Sequence, residues 1–304
     1  MIYDKARSLN QELTFTYADN YFVRKKVSFE EENMRTLGLI DGDGFYTNTG
    51  LLLSDQCEHS IKCAIFNGEG KTTFKTRKEF YGSILQQLEE SYEYISTYNN
   101  VRADFLGLDR IESYDYPEYA VREALLNSIV HRDYNYSGSI IINIFTDRME
   151  FVSIGGLVQG ITLTDAIRGV SQSRNMAIAN IFYRLKLIES YGTGLTRILE
   201  SYENFEQPQF LPAETSFVTV LPNTTWNKSK DKSSVLEIEE SRSPEERVLD
   251  LLKLKKEITR KDVEELLKCS GFPARQVLNQ LLEKKKITVY GNARSTKYKL
   301  LEEN

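Results

Sequence analysis

The chain has 304 residues, 40% of them apolar and 27% charged, which is enough for two or three domains with real cores and excludes a disordered or fibrous protein. The net charge of −5 selects no partner by itself, but its distribution is uneven: between Gly271 and Leu300 seven bases (Arg275, Lys284, Lys285, Lys286, Arg294, Lys297, Lys299) stand against one acid, Glu283. No apolar run approaches the length of a membrane span, and "MIYDKARSLN" has no signal-peptide core, so neither a membrane partner nor export is expected.

The three cysteines are an odd number without paired spacing, which points to a reducing cytoplasm. Cys57, His59 and Cys63 lie close together, but their spacing fits no standard zinc pattern, and cysteine is commonly a small core residue.

Residues 1–105 read as a mixed α/β region. "EENMRTLGLI" suggests a helix end with Gly38 as the stop, and "DGDGFYTNTG" is turn chemistry. "TNTGLLLSD" and "SIKCAIFNG" read as short strands. In "RKEFYGSILQQLEESYEYISTYN" the residues Phe80, Ile84, Leu88, Tyr92 and Ile95 share one helical face.

"YDYPEYAVREALLNSIVHRDY" is the next helix, with Pro117 suited to its first turn. "SIIINIF" and "MEFVSI" flank a "TDR" turn and form an expected β-hairpin. "GGLVQG" is a glycine loop, and "LTDAIRGVSQSRN" a short helix followed by a polar loop. "MAIANIFYRLKLIESY" is a helix, "GTGLTRILESY" begins another, and "SFVTVLPN" is a strand. Residues 224–243 are polar and unpatterned, so they read as a linker. After them "PEERVLDLLKLK", "TRKDVEELLKCS" and "PARQVLNQLLEKKK" are three helices, and "ITVYGNARSTKYKL" is a hairpin.

Glu123, Asn127 and His131 are spaced i, i+4, i+8 and form a polar stripe on a helix whose other faces carry Val121, Ala124, Leu125, Leu126, Ile129 and Val130. A helix apolar nearly all round is buried. Its polar stripe then faces either a polar cavity or ligand, or solvent and neighbouring backbone, because unpaired burial is costly.

The order of these elements narrows the choice. "EALLN" matches the Glu-x-x-x-Asn box of Bergerat-type ATPases. "YPEYAVREALLNSIVHRDY", "RMEFVSIGGL", "SRNMAIANIFYRLKLIESYGTGLTRI" and "LPN" resemble the ATP-binding domain of RecG-related transcriptional regulators, over about residues 110–223. Residues 1–105 resemble the middle region of the same proteins. In that family an AlbA-like (Schlafen-type) domain normally precedes the stretch matching "RSLNQELTF". None stands ahead of it here, which leaves a piece of a longer chain or a short relative.

The resemblance implies an α+β fold: a Bergerat-like α/β sandwich over 106–223, after the mixed region and before the linker. It implies ATP and Mg²⁺ as cofactors. Asn127 takes the place of the Mg²⁺ ligand, whose single amide oxygen suffices beside phosphates and waters. Glu123 takes that of the residue orienting or deprotonating the attacking water. Gly192, Thr193, Gly194 and Leu195 match the second glycine box, whose backbone N–H groups meet phosphate; the alternative is a bend that ends one helix and starts the next. Gly155 and Gly156 match the first box. The aspartate that reads adenine is missing there: Ser153 stands near its place, and Asp147 comes too early. No lysine-bearing box for the γ-phosphate is evident. "HRDY", His131 to Tyr134, is typical of the RecG-related group. Its basic residues either contact phosphate, pair with Asp133, or meet the last helix carbonyls. Arg174 and Asn175 belong to a lid, or Asn175 caps the following helix.

Residues 244–304 have the three-helix-plus-hairpin order of a winged helix. Ala274–Lys286 is the recognition-helix candidate. Arg275, Gln276 and Asn279 stand at its start, Lys284, Lys285 and Lys286 follow, and Arg294, Lys297 and Lys299 lie on the wing, all suited to DNA. A protein-docking module with a solvated lysine face is the alternative. The expected protein is therefore a cytoplasmic DNA-binding regulator, homo-oligomeric, with a nucleotide-sensing domain. The rival readings are a true ATPase and a nucleotide-free assembly module. The sequence contains no Gly-x-x-x-x-Gly-Lys-Ser/Thr loop, so a helicase motor is not expected.

Overall fold

Strands β1 (Ile61–Phe66) and β5 (Ile140–Ile144) lie side by side in parallel, with Ile61 opposite Ile140 and Ile65 opposite Ile144. They form the middle of a six-stranded sheet completed by β2 (Phe74–Phe80), β6 (Arg148–Ile154), β7 (Gln209–Pro212) and β8 (Ser216–Pro222), in the order β2-β1-β5-β6-β8-β7. Every other pairing in it is antiparallel. The computed structural model describes residues 3–106, 109–189, 191–226, 243–255, 257–267, 271–284, 286–290 and 296–301.

Helices α1 (Thr16–Arg24), α2 (Glu31–Thr36), α3 (Asn48–Leu53), α4 (Ile84–Ser96), α5 (Glu118–Val130), α6 (Leu163–Ile167), α7 (Met176–Arg184) and α8 (Gly194–Glu200) accompany this sheet, as does a two-stranded ladder of β3 (Val101–Leu106) and β4 (Asp109–Tyr114). β5 buries Ile140, Ile142, Asn143 and Ile144 and leaves Ile141 exposed. β6 alternates strictly, with Met149, Phe151 and Ser153 inward. One core runs from Ala18 to Leu221 and includes Phe80, Leu125, Ile142, Phe151 and Phe182. The mixed α/β fold expected from the sequence is thus observed.

Three expectations are corrected. The boundary at 105/106 does not separate compact units: β1 and β2 from one side of it share a sheet with β5–β8 from the other, and the chain divides instead into residues 1–226 and 227–304. "NTGLLL" is helix α3 and not a strand. The Thr47 hydroxyl accepts from Gly50 N–H at 3.3 Å and caps the helix, while Leu52 and Leu53 are buried. A run of three leucines fits either element until the cap decides it. Phe80 ends strand β2 and does not begin a helix. The chain turns at Gly82 (φ +77°), and the Ser83 hydroxyl accepts from Leu85 N–H to start α4.

The second unit contains α9 (Pro244–Lys255), β9 (Glu257–Ile258), α10 (Arg260–Leu267), α11 (Gly271–Glu283), β10 (Ile287–Tyr290) and β11 (Lys297–Leu300). Its sheet order is β10-β11-β9, all antiparallel. Val248, Leu252, Ile258, Val263, Ala274, Leu278, Leu281 and Ile287 form its core. The two-residue strand β9 is too short to leave a sequence pattern. Among the described residues no helix is long and apolar enough to cross a membrane.

Candidate functional site

Helix α5 buries Ala120, Val121, Glu123, Ala124, Leu125, Leu126, Ser128, Ile129 and Val130, while Asn127 and His131 of its polar stripe are half-buried. Glu123 is only 9% exposed. Its Oε1 accepts from Arg122 Nη1 at 2.8 Å, while the other arm of that guanidinium reaches the Leu187 carbonyl at 2.5 Å. Burial raises the Glu123 carboxyl above its ordinary range, and Arg122, Tyr119 and Arg197 oppose that rise.

Helix α8 closes on this stripe. A Cβ placed on Gly194 would lie 2.9 Å from Glu123 Oε2 and 3.3 Å from Asn127 Nδ2. The Glu–Asn stripe and the Gly-Thr-Gly bend thus lie side by side, in direct contact and without a hollow between Gly194 and the two side chains. The bend is covered in turn by the end of α6. Gly192 (φ +67°) passes so close to Gly169 that a Cβ would meet its carbonyl oxygen at 2.2 Å, and the Thr196 hydroxyl donates to Ile167 O at 2.7 Å. Arg197 on α8 donates to the Tyr119 hydroxyl at 3.2 Å and pairs with Glu189 at 2.8 Å. Thr193 occupies the N-cap position of α8 without a side-chain cap bond, and Leu195 packs on the core.

Gly155 and Gly156 make a different contact. Gly155 (φ +105°) abuts Asp133, and a Cβ on Gly156 would meet the carbonyls of Ala213 and Glu214 at 2.1 and 2.8 Å. These two glycines let three backbone segments cross. Ser153, which the resemblance puts near the place of the adenine aspartate, is buried and donates to Ser128 O at 2.8 Å. Its hydroxyl proton is thus committed to the α5 backbone.

The HRDY segment is held from both sides. Buried Asn175 donates to Val130 O at 2.9 Å and to Arg132 O at 2.7 Å, and so satisfies the end of α5. It stands at the N-cap of α7 but makes no side-chain cap bond there; Asp4 instead accepts from Ala177 N–H at 2.8 Å. Asp133 pairs with Arg174 at 3.3 Å, and Arg174 also donates to Gly156 O at 2.9 Å. Arg132 turns inward, with Nη2 donating to the carbonyls of Tyr136 and Gly138. None of these partners could be read from spacing along the chain.

Mg²⁺ and a nucleotide would be held by Asn127 and the bend around Gly192–Leu195. With Gly194 against Glu123 and Asn127, these residues do not fit a phosphate in this arrangement. Among the described residues no group of three or more His, Cys, Asp or Glu side chains is arranged to hold a metal ion.

Residues 138–221 match the family described as "Putative ATP-dependent DNA helicase recG C-terminal". The first unit contains a RecG-related, ATPase-like domain. The crystal structure of the DIP2311 protein from Corynebacterium diphtheriae has a TM-score of 0.65 to this chain at 22% identity, a likeness of fold alone. The match covers 99% of this chain and 64% of that one, so the chain spans about two thirds of its relative. No curated protein matches.

The candidate nucleic-acid contacts lie in the second unit, outside the ATPase-like domain. Arg275, Gln276 and Asn279 are exposed on α11. Lys286 and Lys299 are exposed as well, and Lys299 lies 5.8 Å from the Tyr290 ring centre. Two of the candidate lysines are engaged within the unit. Lys284 pairs with Glu245 at 2.5 Å, and Lys297 pairs with Glu257, which also accepts from the Tyr290 hydroxyl. Lys285 and Arg294 lie outside the described residues.

Proposed function

We propose that the protein is a DNA-binding regulator in which the ATPase-like domain controls the action of a winged-helix module. The observation that carries this reading is the exposed start of α11. Arg275, Gln276 and Asn279 point away from a core built on Ala274, Leu278 and Leu281. Arg, Gln and Asn are the side chains whose geometry matches guanine and adenine edges in the major groove. The order α9-β9-α10-α11-β10-β11 supports the winged-helix reading, with Lys286 and Lys299 placed for phosphate. Glu123, Asn127 and the Gly192–Leu195 bend are the proposed nucleotide-sensing elements. Nucleotide entry then requires α8 to withdraw from α5, and that displacement is the conformational signal.

The test has two arms. DNA binding by the full chain is measured against salt for the parent and for Lys286→Ala with Arg275→Ala. Steep salt dependence in the parent and loss in the variant support the module; indifference to both rejects it. Thermal stability with Mg²⁺ and ATP, ADP or GTP is then compared for the parent and Asn127→Ala. A shift in the parent that the variant lacks supports nucleotide sensing.

A second reading is an ATPase-like fold that works without nucleotide as an assembly module. The tight contact of Gly194 with Glu123 favours it. It predicts no thermal shift with any nucleotide.

A further inference from the structure

Arg132 is 1% exposed, in the middle of the first unit. A buried guanidinium cannot discard its charge by losing a proton, so it needs a counter-charge or a full set of acceptors. It has neither. Only Nη2 is bonded, to the two carbonyls named above, while Nε and Nη1 are buried with no hydrogen-bond partner. Among the described residues no carboxylate pairs with it: Asp133, next in sequence, is taken by Arg174. The Tyr134 ring, 4.7 Å from the guanidinium carbon, offers a cation–π contact that offsets part of the burial and leaves the N–H groups unpaired.

Arg132 lines a cavity of about 10 Å³ shared with His59, Ser60, Gln87, Tyr134 and four isoleucines. We infer that this cavity holds one small monovalent anion of halide size beside the Arg132 guanidinium.

The polar groups around it suit an anion better than a cation. His59 faces the cavity as a neutral ring, pushed down to about 4 by burial and then by Arg132, so one ring nitrogen carries a proton to donate. The Tyr3 hydroxyl lies 3.4 Å from His59 Nε2. The Gln87 amide nitrogen is spent on the His59 and Gly82 carbonyls, and Ser60 on Glu79. Cys57 is not the counter-ion, because burial pushes its thiol up to about 11. The volume is at the threshold for one water-sized body, so a halide enters only as the lining side chains give by a few tenths of an ångström, and larger organic anions are excluded. A resident anion would neutralise the guanidinium, accept from Nε and Nη1, and fix the turn that returns from α5 to β5.

The full chain, dialysed free of halide, is melted in sodium chloride and in sodium gluconate at matched ionic strength. The expected result is a saturable rise in Tm, on the order of 5 °C near 100 Kd, with chloride and not with gluconate. Arg132→Met should abolish the difference. Crystals grown with sodium bromide should show an anomalous peak beside Arg132 Nε and Nη1, and this experiment stands even if the variant does not fold. Equal melting in both salts, or a water in place of bromide, overturns the inference.

Discussion

Gly194 on α8 lies against Glu123 on α5, so closely that an alanine methyl would come within 2.9 Å of the carboxylate. A buried acid, raised by desolvation and tied to Arg122, is thus capped by the one residue type that leaves it space. This contact joins the two elements that would have to part for a nucleotide to enter.

Gly194→Ala should nonetheless change stability by less than about 1 kcal/mol, because the atom it meets is the end of the flexible Glu123 side chain, which swings aside, and alanine is the better helix former. The urea midpoint measures it. A loss of several kcal/mol would show instead that the Glu123 carboxylate is held rigidly against α8.

Gly192→Ala is expected to cost more, roughly 2–3 kcal/mol. Its backbone is left-handed (φ +67°), and the new methyl meets fixed backbone at Gly169. Gly160→Ala is the control. Its φ is +87°, but nothing lies within 4 Å, so only the backbone term remains. Equal losses at the two glycines would remove the argument from packing.

Much of this arrangement was written in the sequence, and the remainder could not have been. α5 follows from a long apolar run opened by Pro117 and crossed by an i, i+4 polar stripe, and the β5–β6 hairpin from two apolar runs around a three-residue turn, all of them local signals. The parallel pairing of β1 with β5 joins Ile61 to Ile140 across almost eighty residues, and such a pairing leaves no local trace. This is why residues 1–105 read as a separate region. Glu123 and Asn127 were legible as a stripe, and Gly192–Leu195 as a bend. That the bend presses onto the stripe is a fact of tertiary packing. The buried roles of Ser153, Asn175 and Arg132 were hidden for the same reason, since polar residues in loops and at strand ends are exposed by default.

Asn175→Ala should cost about 2–4 kcal/mol by chemical denaturation. Two buried carbonyls, of Val130 and Arg132, lose their donor together. Asn135→Ala, at an exposed position, should stay within about 0.5 kcal/mol. A small effect at Asn175 would mean that water replaces its amide, and the carbonyls are then not sealed.

Acid should weaken the protein before its carboxylates titrate. The chain has two histidines, His59 and His131, and both are pushed down to about 4 by burial, reinforced by Arg132 and Arg174 respectively. In the unfolded chain they titrate near about 6.5. Between about pH 6.5 and 4 the unfolded state binds protons that the folded state refuses, so stability falls as pH falls across that window. Glu123, raised in the fold, works weakly the other way. Urea midpoints from pH 7 to 4.5 should slope downward in the parent and flatten in the double variant His59→Gln, His131→Gln. An unchanged slope would assign the effect to other groups.

The second unit holds back two of the lysines proposed to meet DNA. Lys284 is paired with Glu245 and Lys297 with Glu257, whose carboxyl the Lys297 ammonium and the Tyr290 hydroxyl hold below its usual range. If α11 and the β10–β11 hairpin lie on DNA, each acid both occupies a phosphate-binding ammonium and repels the backbone. Glu245→Gln and Glu257→Gln should therefore tighten DNA binding by the full chain several-fold at low salt. They should also steepen the plot of log K against log salt by up to about 0.9 per freed lysine. Lys286→Ala, which removes an exposed base, should make that plot shallower by about one. The three substitutions test one surface with opposite signs, so a general loss of fold cannot imitate the pattern. If freeing the lysines leaves binding and its salt slope unchanged, this face does not meet phosphate, and the lysines are a solvated surface of a docking module.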